Sequence, residues 1–88
     1  MINYTIYTAK KVKKFLVRHP EIAKRFVEKI ELMEYDPLDR RLDIVPLSWE
    51  DARFRLRIGK YRFLFEIIED EILVYFYQAD GRWDVYKK

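Results

Sequence analysis

The sequence predicts an α+β fold: an N-terminal strand, an antiparallel helical hairpin, then an antiparallel β-meander. Three observations predict it. Residues 2–8 alternate apolar and polar side chains, residues 9–36 carry apolar positions at helical spacing, and residues 53–78 hold three apolar-rich runs separated by short turns. Helical segments followed by a run of strands give segregated layers, with the helices on one sheet face. At 88 residues the chain is read as a single domain, 1–88. Its core is modest, since chains of this size bury about 60–65% of their unfolded surface.

The elements follow in order. In INYTIYT, Ile2, Tyr4 and Ile6 point one way and Asn3, Thr5 and Tyr7 the other, a strand period. Thr8 is expected to cap a helix starting at Ala9. Val12, Phe15 and Leu16 then make an i, i+3, i+4 face, with Lys10, Lys11, Lys13 and Lys14 around the rest. His19-Pro20 interrupts the helix, because the residue before a proline is pushed out of the helical region, and Pro20 suits the first turn of a second helix. Ile22, Ala23, Phe26, Val27, Ile30 and Met33 form its apolar stripe, which Asp36-Pro37 ends. Residues 38–51 lack periodicity and contain Pro46, so they are expected to be mostly loop, with Leu42, Ile44 and Leu47 as anchors. Strands are expected at 53–58, 61–68 and 71–78, joined through Gly59-Lys60 and Glu69-Asp70, with a short edge strand at 83–87.

Charge is concentrated in ARFRLRIGKYRFLFEI, residues 52–67. Arg53, Arg55, Arg57, Lys60 and Arg62 appear there with no acidic residue before Glu66. By strand parity Arg53, Arg55 and Arg57 share one face and Phe54, Leu56 and Ile58 the other. The apolar face must meet the helices, so the arginines are expected on the open face. Like charges at i, i+2 repel, so stability does not account for the row. It is either a site for an anion or acidic partner, or a solvated face paired with Glu66 or Asp51. The net charge of +3 fits an anionic partner.

Composition narrows the chemistry. There are no cysteines, which excludes disulfides and thiolate metal sites, and one histidine, His19, does not make a histidine metal site. No metal or other cofactor is expected. His19, in a turn before proline, reads as structural or exposed. No apolar run approaches the roughly 20 residues of a membrane span, and the N-terminus has no signal-peptide apolar region, so a cytoplasmic protein without a membrane partner is expected. Trp49 and Trp83 read equally as core or partner-facing.

Arg55-Leu56-Arg57-Ile58-Gly59-Lys60-Tyr61-Arg62, then an apolar strand, then Gly81-Arg82-Trp83-Asp84-Val85-Tyr86 resembles the RelE/ParE toxin superfamily. Its members carry an R-L-R-x-G-x-Y-R hairpin and an H-R-x-x-x-Y ending. The resemblance covers nearly the whole chain and implies a RelE-like fold. It also implies a toxin neutralised by a small cognate antitoxin, with operator DNA met only through the antitoxin complex. In the RelE branch the partners are the ribosome and mRNA, which is cut in the ribosomal A site; ParE-like relatives inhibit gyrase without nuclease activity. Matched residue by residue, the basic positions are Arg53, Arg55, Arg57, Arg62 and Arg82, and the terminal tyrosine is Tyr86. Gyrase-directed relatives commonly lack this full set, so the resemblance favours a ribosome-dependent mRNA endoribonuclease. A degenerate, antitoxin-bound regulatory module is the remaining alternative.

Metal-free RNA cleavage needs the 2′-OH deprotonated, the phosphorane charge stabilised and the leaving 5′-oxygen protonated. Arginine forks match phosphate oxygens, so Arg53, Arg55, Arg62 and Arg82 supply the second need. Arginine is too basic to take the proton. Gly81 stands where a histidine often precedes the family arginine, which leaves Glu66, Tyr86 and Lys60 as proton-transfer candidates. Glu66 is also read as an ion-pair partner of Arg62. The catalytic set is therefore Arg55, Arg62, Glu66, Arg82 and Tyr86. Arg53, Arg57, Lys60 and the helix lysines Lys10, Lys13 and Lys14 are the RNA-contacting set; the lysines read most simply as the wet face of a helix.

Overall fold

The computed structural model describes residues 3–81. The strand alternation and the helical stripes become β1 (Thr5–Thr8), α1 (Lys10–Arg18), α2 (Pro20–Met33), β2 (Ile44–Ser48), β3 (Arg53–Ile58), β4 (Tyr61–Ile68), a single 3-10 turn (Glu69–Glu71) and β5 (Leu73–Asp80). The five strands form one sheet in the order β1-β5-β4-β3-β2. β1 runs parallel to β5 and every other neighbouring pair is antiparallel. The expected α+β architecture is the one observed. Ile2, Arg82, Trp83, Tyr86 and the edge strand expected at 83–87 lie outside the described residues.

The inner sheet face makes the core. Phe54, Leu56 and Ile58 of β3, Phe63, Phe65 and Ile67 of β4, and Val74 and Phe76 of β5 bury against Val12 of α1 and Ile22, Phe26 and Met33 of α2. Phe26 is the wedge, with its ring centroid 4.8 Å from that of Phe63 and 4.9 Å from that of Phe76. Such aromatic contacts add to the area they bury. The α2 stripe is narrower than its pattern suggests: Val27 is 49% exposed, while Ile22, Phe26 and Met33 do the burying. Residue 27 follows Phe26 by one position, about 100° around the helix, and so turns off the buried side.

Thr8 does not cap α1. Ala9 holds the N-cap position without a side-chain hydrogen bond, and its N–H donates to the Phe76 carbonyl at 2.8 Å, so the helix entry is tied to β5 instead. The segment expected as loop contains β2, which pairs with β3 through Ile44↔Leu56, Val45↔Arg55, Pro46↔Phe54 and Ser48↔Arg53. A bulge between Pro46 and Ser48 shifts the register and hides the period of two. Pro46 is tolerated because β2 is an edge strand. The turn expected at Glu69-Asp70 is longer, a 3-10 turn closed by Ile72 at φ 51, so β5 begins two residues late. The β3–β4 turn is as expected: Ile58 pairs with Tyr61, and Gly59 between them has φ +62, the left-handed conformation that glycine takes without strain. Among the described residues no helix is long and apolar enough to cross a membrane.

Candidate functional site

The residues between the buried ones build the open face, and the strand register sorts them into rows. One row runs across five strands: Ser48, Arg53, Glu66, Tyr75 and Tyr7. The next is Val45, Arg55, Leu64 and Gln78, and the third is Arg57, Arg62 and Asp80. Rows are two residues apart along β3, about 6.7 Å. Four arginines therefore stand on three adjacent rows of one surface.

Acidic neighbours hold Arg53, Arg55 and Arg57. Asp43, just before β2, receives hydrogen bonds from Arg55 Nη2 at 3.1 Å and Arg57 Nε at 2.9 Å, and its carbonyl accepts the Arg57 backbone N–H at 2.9 Å. The Arg55 side chain is 17% exposed. Its buried Nε finds no hydrogen-bond partner among the described residues. Arg57 and Arg53 are each 51% exposed. Glu66 forms a loose ion pair with Arg53, 3.9 Å from Oε1 to Nε. Along β4 it stands four residues from Arg62, about 13 Å by strand rise. Asp51, the other expected counter-ion, bonds Ser48 instead: the Ser48 hydroxyl donates to its carboxylate at 3.1 Å.

The structure brings Arg53, Arg55, Arg57, Arg62 and Glu66 onto one face. Arg82 and Tyr86 lie outside the described residues. Lys10, Lys13 and Lys14 are exposed on α1, whose buried Val12 packs on the opposite, inner side of the sheet. They are not part of the arginine face. Lys60 sits at the tip of the β3–β4 turn, its ammonium 5.8 Å from the Tyr61 ring centroid. It lines a cleft of about 640 Å³ with Phe15, Arg18, His19, Tyr61 and Asp80. His19 has a structural place there. Its ring stacks on Phe15 with centroids 4.3 Å apart, and Nδ1 lies 2.9 Å from the Phe15 carbonyl oxygen, an acceptor that makes Nδ1–H the donor.

Sequence reasoning missed Asp43, Tyr75 and Tyr77. Asp43 falls in the segment whose strand pattern the bulge conceals. The tyrosines had a signal: in Leu73–Asp80 they alternate with Val74 and Phe76, so parity alone places them opposite the core. Tyr77 is held with its phenol above the usual range, chiefly by burial, with Arg53 opposing and Glu66 adding to the effect.

No family model matches the chain. RelE1 of Methanocaldococcus jannaschii is 30% identical over 69 residues, 77% of each chain. The structure resembles that in the archaeal RelE–RelB complex of Pyrococcus horikoshii OT3, with a TM-score of 0.83 and 24% identity over 93% of this chain and 98% of that one; that likeness is one of fold. The RelBE2 toxin–antitoxin complex of Mycobacterium tuberculosis gives a TM-score of 0.72 and 27% identity over 93% and 94% of the two chains. The RelB–RelE antitoxin–toxin complex of Methanococcus jannaschii gives 0.69 and 27% over 92% and 95%.

Proposed function

The chain belongs to the RelE toxin family, and from that premise we propose that it is the toxin of a toxin–antitoxin pair and a metal-independent endoribonuclease that cuts mRNA on the ribosome. The observation that carries this reading is the display of Arg53, Arg55, Arg57 and Arg62 on adjacent rows of the open face. Preorganised cations over a developing phosphorane are the largest catalytic contribution such a surface can make.

The rows suit a single RNA strand laid along β3 and β4. The attacking nucleotide lies at the row of Arg53 and Glu66, and the scissile phosphate over Arg55. The following phosphate lies at Arg57 and Arg62, and Arg82 is assigned as a further phosphate-binding residue. Glu66, an acceptor when ionised, takes the 2′-OH proton. The O2′–P bond forms, the P–O5′ bond breaks, and Tyr86 protonates the departing 5′-oxygen, leaving a 2′,3′-cyclic phosphate. Asp43 holds Arg55 and Arg57 when RNA is absent and yields them to phosphate oxygens. The partners are then mRNA in the ribosome, which places the protein in the cytoplasm, and a cognate small antitoxin. The antitoxin assignment draws on solved relatives that are themselves toxin–antitoxin complexes; operator DNA is reached through that complex.

The test is primer extension on cellular mRNA after brief induction without antitoxin. New 5′ ends clustered inside translated codons are expected, and they should disappear in folded Arg62→Ala and Arg82→Ala variants. Intact message with arrested growth moves the target to gyrase or elsewhere. Intact message with normal growth leaves an antitoxin-bound regulatory module.

A further inference from the structure

The arginine rows end in a patch that phosphate binding does not use. Tyr75 follows Glu66 across the sheet, and Tyr7 follows Tyr75. A bulge in β5 leaves Leu64 opposite Gln78 and Phe65 opposite Phe76, so Tyr77 is the extra residue and stands on the open face beside Tyr75. The two rings have centroids 6.5 Å apart and planes inclined by 34°. With Arg53 and Glu66 they line a hollow of about 290 Å³, and the Arg53 guanidinium lies 6.0 Å from the Tyr77 ring centroid. Tyr7 and Tyr75 are 57% and 37% exposed. The core cluster is on the other side of the sheet; on the open face Leu64, in the row of Arg55, is buried at 9% exposure.

We propose that Tyr75 and Tyr77, flanked by Tyr7, are a stacking platform for one nucleobase of single-stranded RNA, that of the nucleotide whose 2′-OH attacks. The placement of that nucleotide rests on the ribonuclease reading above; the stacking does not. A base seated on the tyrosines puts its ribose against Glu66 and Arg53, which line the same hollow, and sends its 3′-phosphate toward Arg55. The platform is thus a positioning device that acts through where it holds the nucleotide. Flat rings beside a line of cations are the usual composition of single-strand sites, because every base has a π-face and every linkage a phosphate. Surface better suited to an aliphatic peptide lies elsewhere, in the groove of Leu38, Leu42, Pro46 and Trp49 at the β2 edge. The tyrosine patch is continuous with the arginines, and charge complementarity selects the polyanion.

The test is binding of a fluorescent, fully 2′-O-methylated RNA decamer to the purified full chain. The blocked 2′-oxygens make the probe uncleavable. Tyr75→Leu and Tyr77→Leu should each weaken binding by about 5- to 150-fold, with unchanged circular dichroism and Tm. Tyr75→Phe and Tyr77→Phe should bind within about twofold of wild type, since stacking keeps the ring and does not need the hydroxyl. Leucine variants that bind like wild type overturn the proposal. So does a wild-type chain that ignores the probe, or leucine variants that lose antitoxin affinity and keep RNA affinity. Primer extension is scored separately: cleavage without any tyrosine effect keeps the ribonuclease reading and removes the platform, whereas tyrosine-dependent binding without cleavage does the reverse.

Discussion

β3 and β4 present two surfaces of opposite character one residue apart. Phe54, Leu56, Ile58, Phe63 and Phe65 are at most 3% exposed. Their immediate neighbours Arg53, Arg55, Arg57 and Arg62 stand on the other side among carboxylates and tyrosines. The contrast teaches that in a two-layer α+β domain the helices need one sheet face only. The second face is free to take residues that the helices do not require, and here it carries four arginines with Asp43 and Glu66 among them. Stability and function are then separable by residue parity, and substitutions on the two faces should differ in kind.

The largest effect belongs to the inner face. Phe65→Ala removes a fully buried ring stacked at 5.5 Å on Phe54 and should cost about 3–5 kcal/mol in urea unfolding. For a chain this small that is a large part of the total stability. Arg55→Ala, one row away, should instead leave unfolding within about 1 kcal/mol, because its ion pair with Asp43 is at the surface and Arg57 remains to hold the carboxylate. Cleavage should fall about 10²–10³-fold, the usual cost of deleting one group that stabilises transition-state charge. If Arg55→Ala unfolds as readily as Phe65→Ala, the parity argument fails.

The turn joining the two strands belongs to neither face. At Gly59, φ is +62, and an added Cβ would meet Arg25 Nη1 at 3.4 Å, an ordinary contact. Gly59→Ala should therefore cost backbone strain alone, about 1–2 kcal/mol, with no separate loss of RNA affinity once the population unfolded is corrected for. A specific loss of affinity would mean that the turn itself touches RNA, as expected of Lys60 from sequence.

How much of this was legible beforehand depends on whether periodicity survived. Arg53 to Arg57 alternate without interruption, so the displayed face could be assigned from parity, and the helical hairpin from its stripe and from His19-Pro20. β2 was not legible, because Pro46 and the bulge after it break the alternation within five residues. With β2 went Asp43, the acid that organises Arg55 and Arg57. No local pattern announces a counter-ion 12 and 14 residues away in sequence. Glu66 could be placed on the arginine face, but parity does not choose among partners on that face; the cross-strand register does, and it gives Arg53. The tyrosine row needed the pairing of β1 with β5, a contact between strands more than sixty residues apart.

Asp43 offers a finer test of the outer face. Asp43→Asn keeps the shape and removes the negative charge that sits between Arg55 and Arg57. One repulsive charge near a bound phosphate is worth about 1 kcal/mol in a water-like medium, so RNA affinity should rise about fivefold in a fluorescence titration. Weaker binding in Asp43→Asn would mean that the carboxylate positions the arginines and is retained in the complex.

The smallest effect separates the two halves of the outer face from each other. If Arg53, Arg55 and the Arg57–Arg62 pair each neutralise one phosphate, log K against log[salt] should have a slope of about −2 for single-stranded RNA, since each phosphate contributes about −0.7. Arg55→Ala should make that slope shallower by about 0.7. Tyr77→Leu should lower affinity at every salt concentration and leave the slope where it was, because stacking releases no counter-ions. An Arg55→Ala slope equal to that of wild type would mean that Asp43 keeps this guanidinium in the complex, and the phosphate track would then run through the remaining arginines alone.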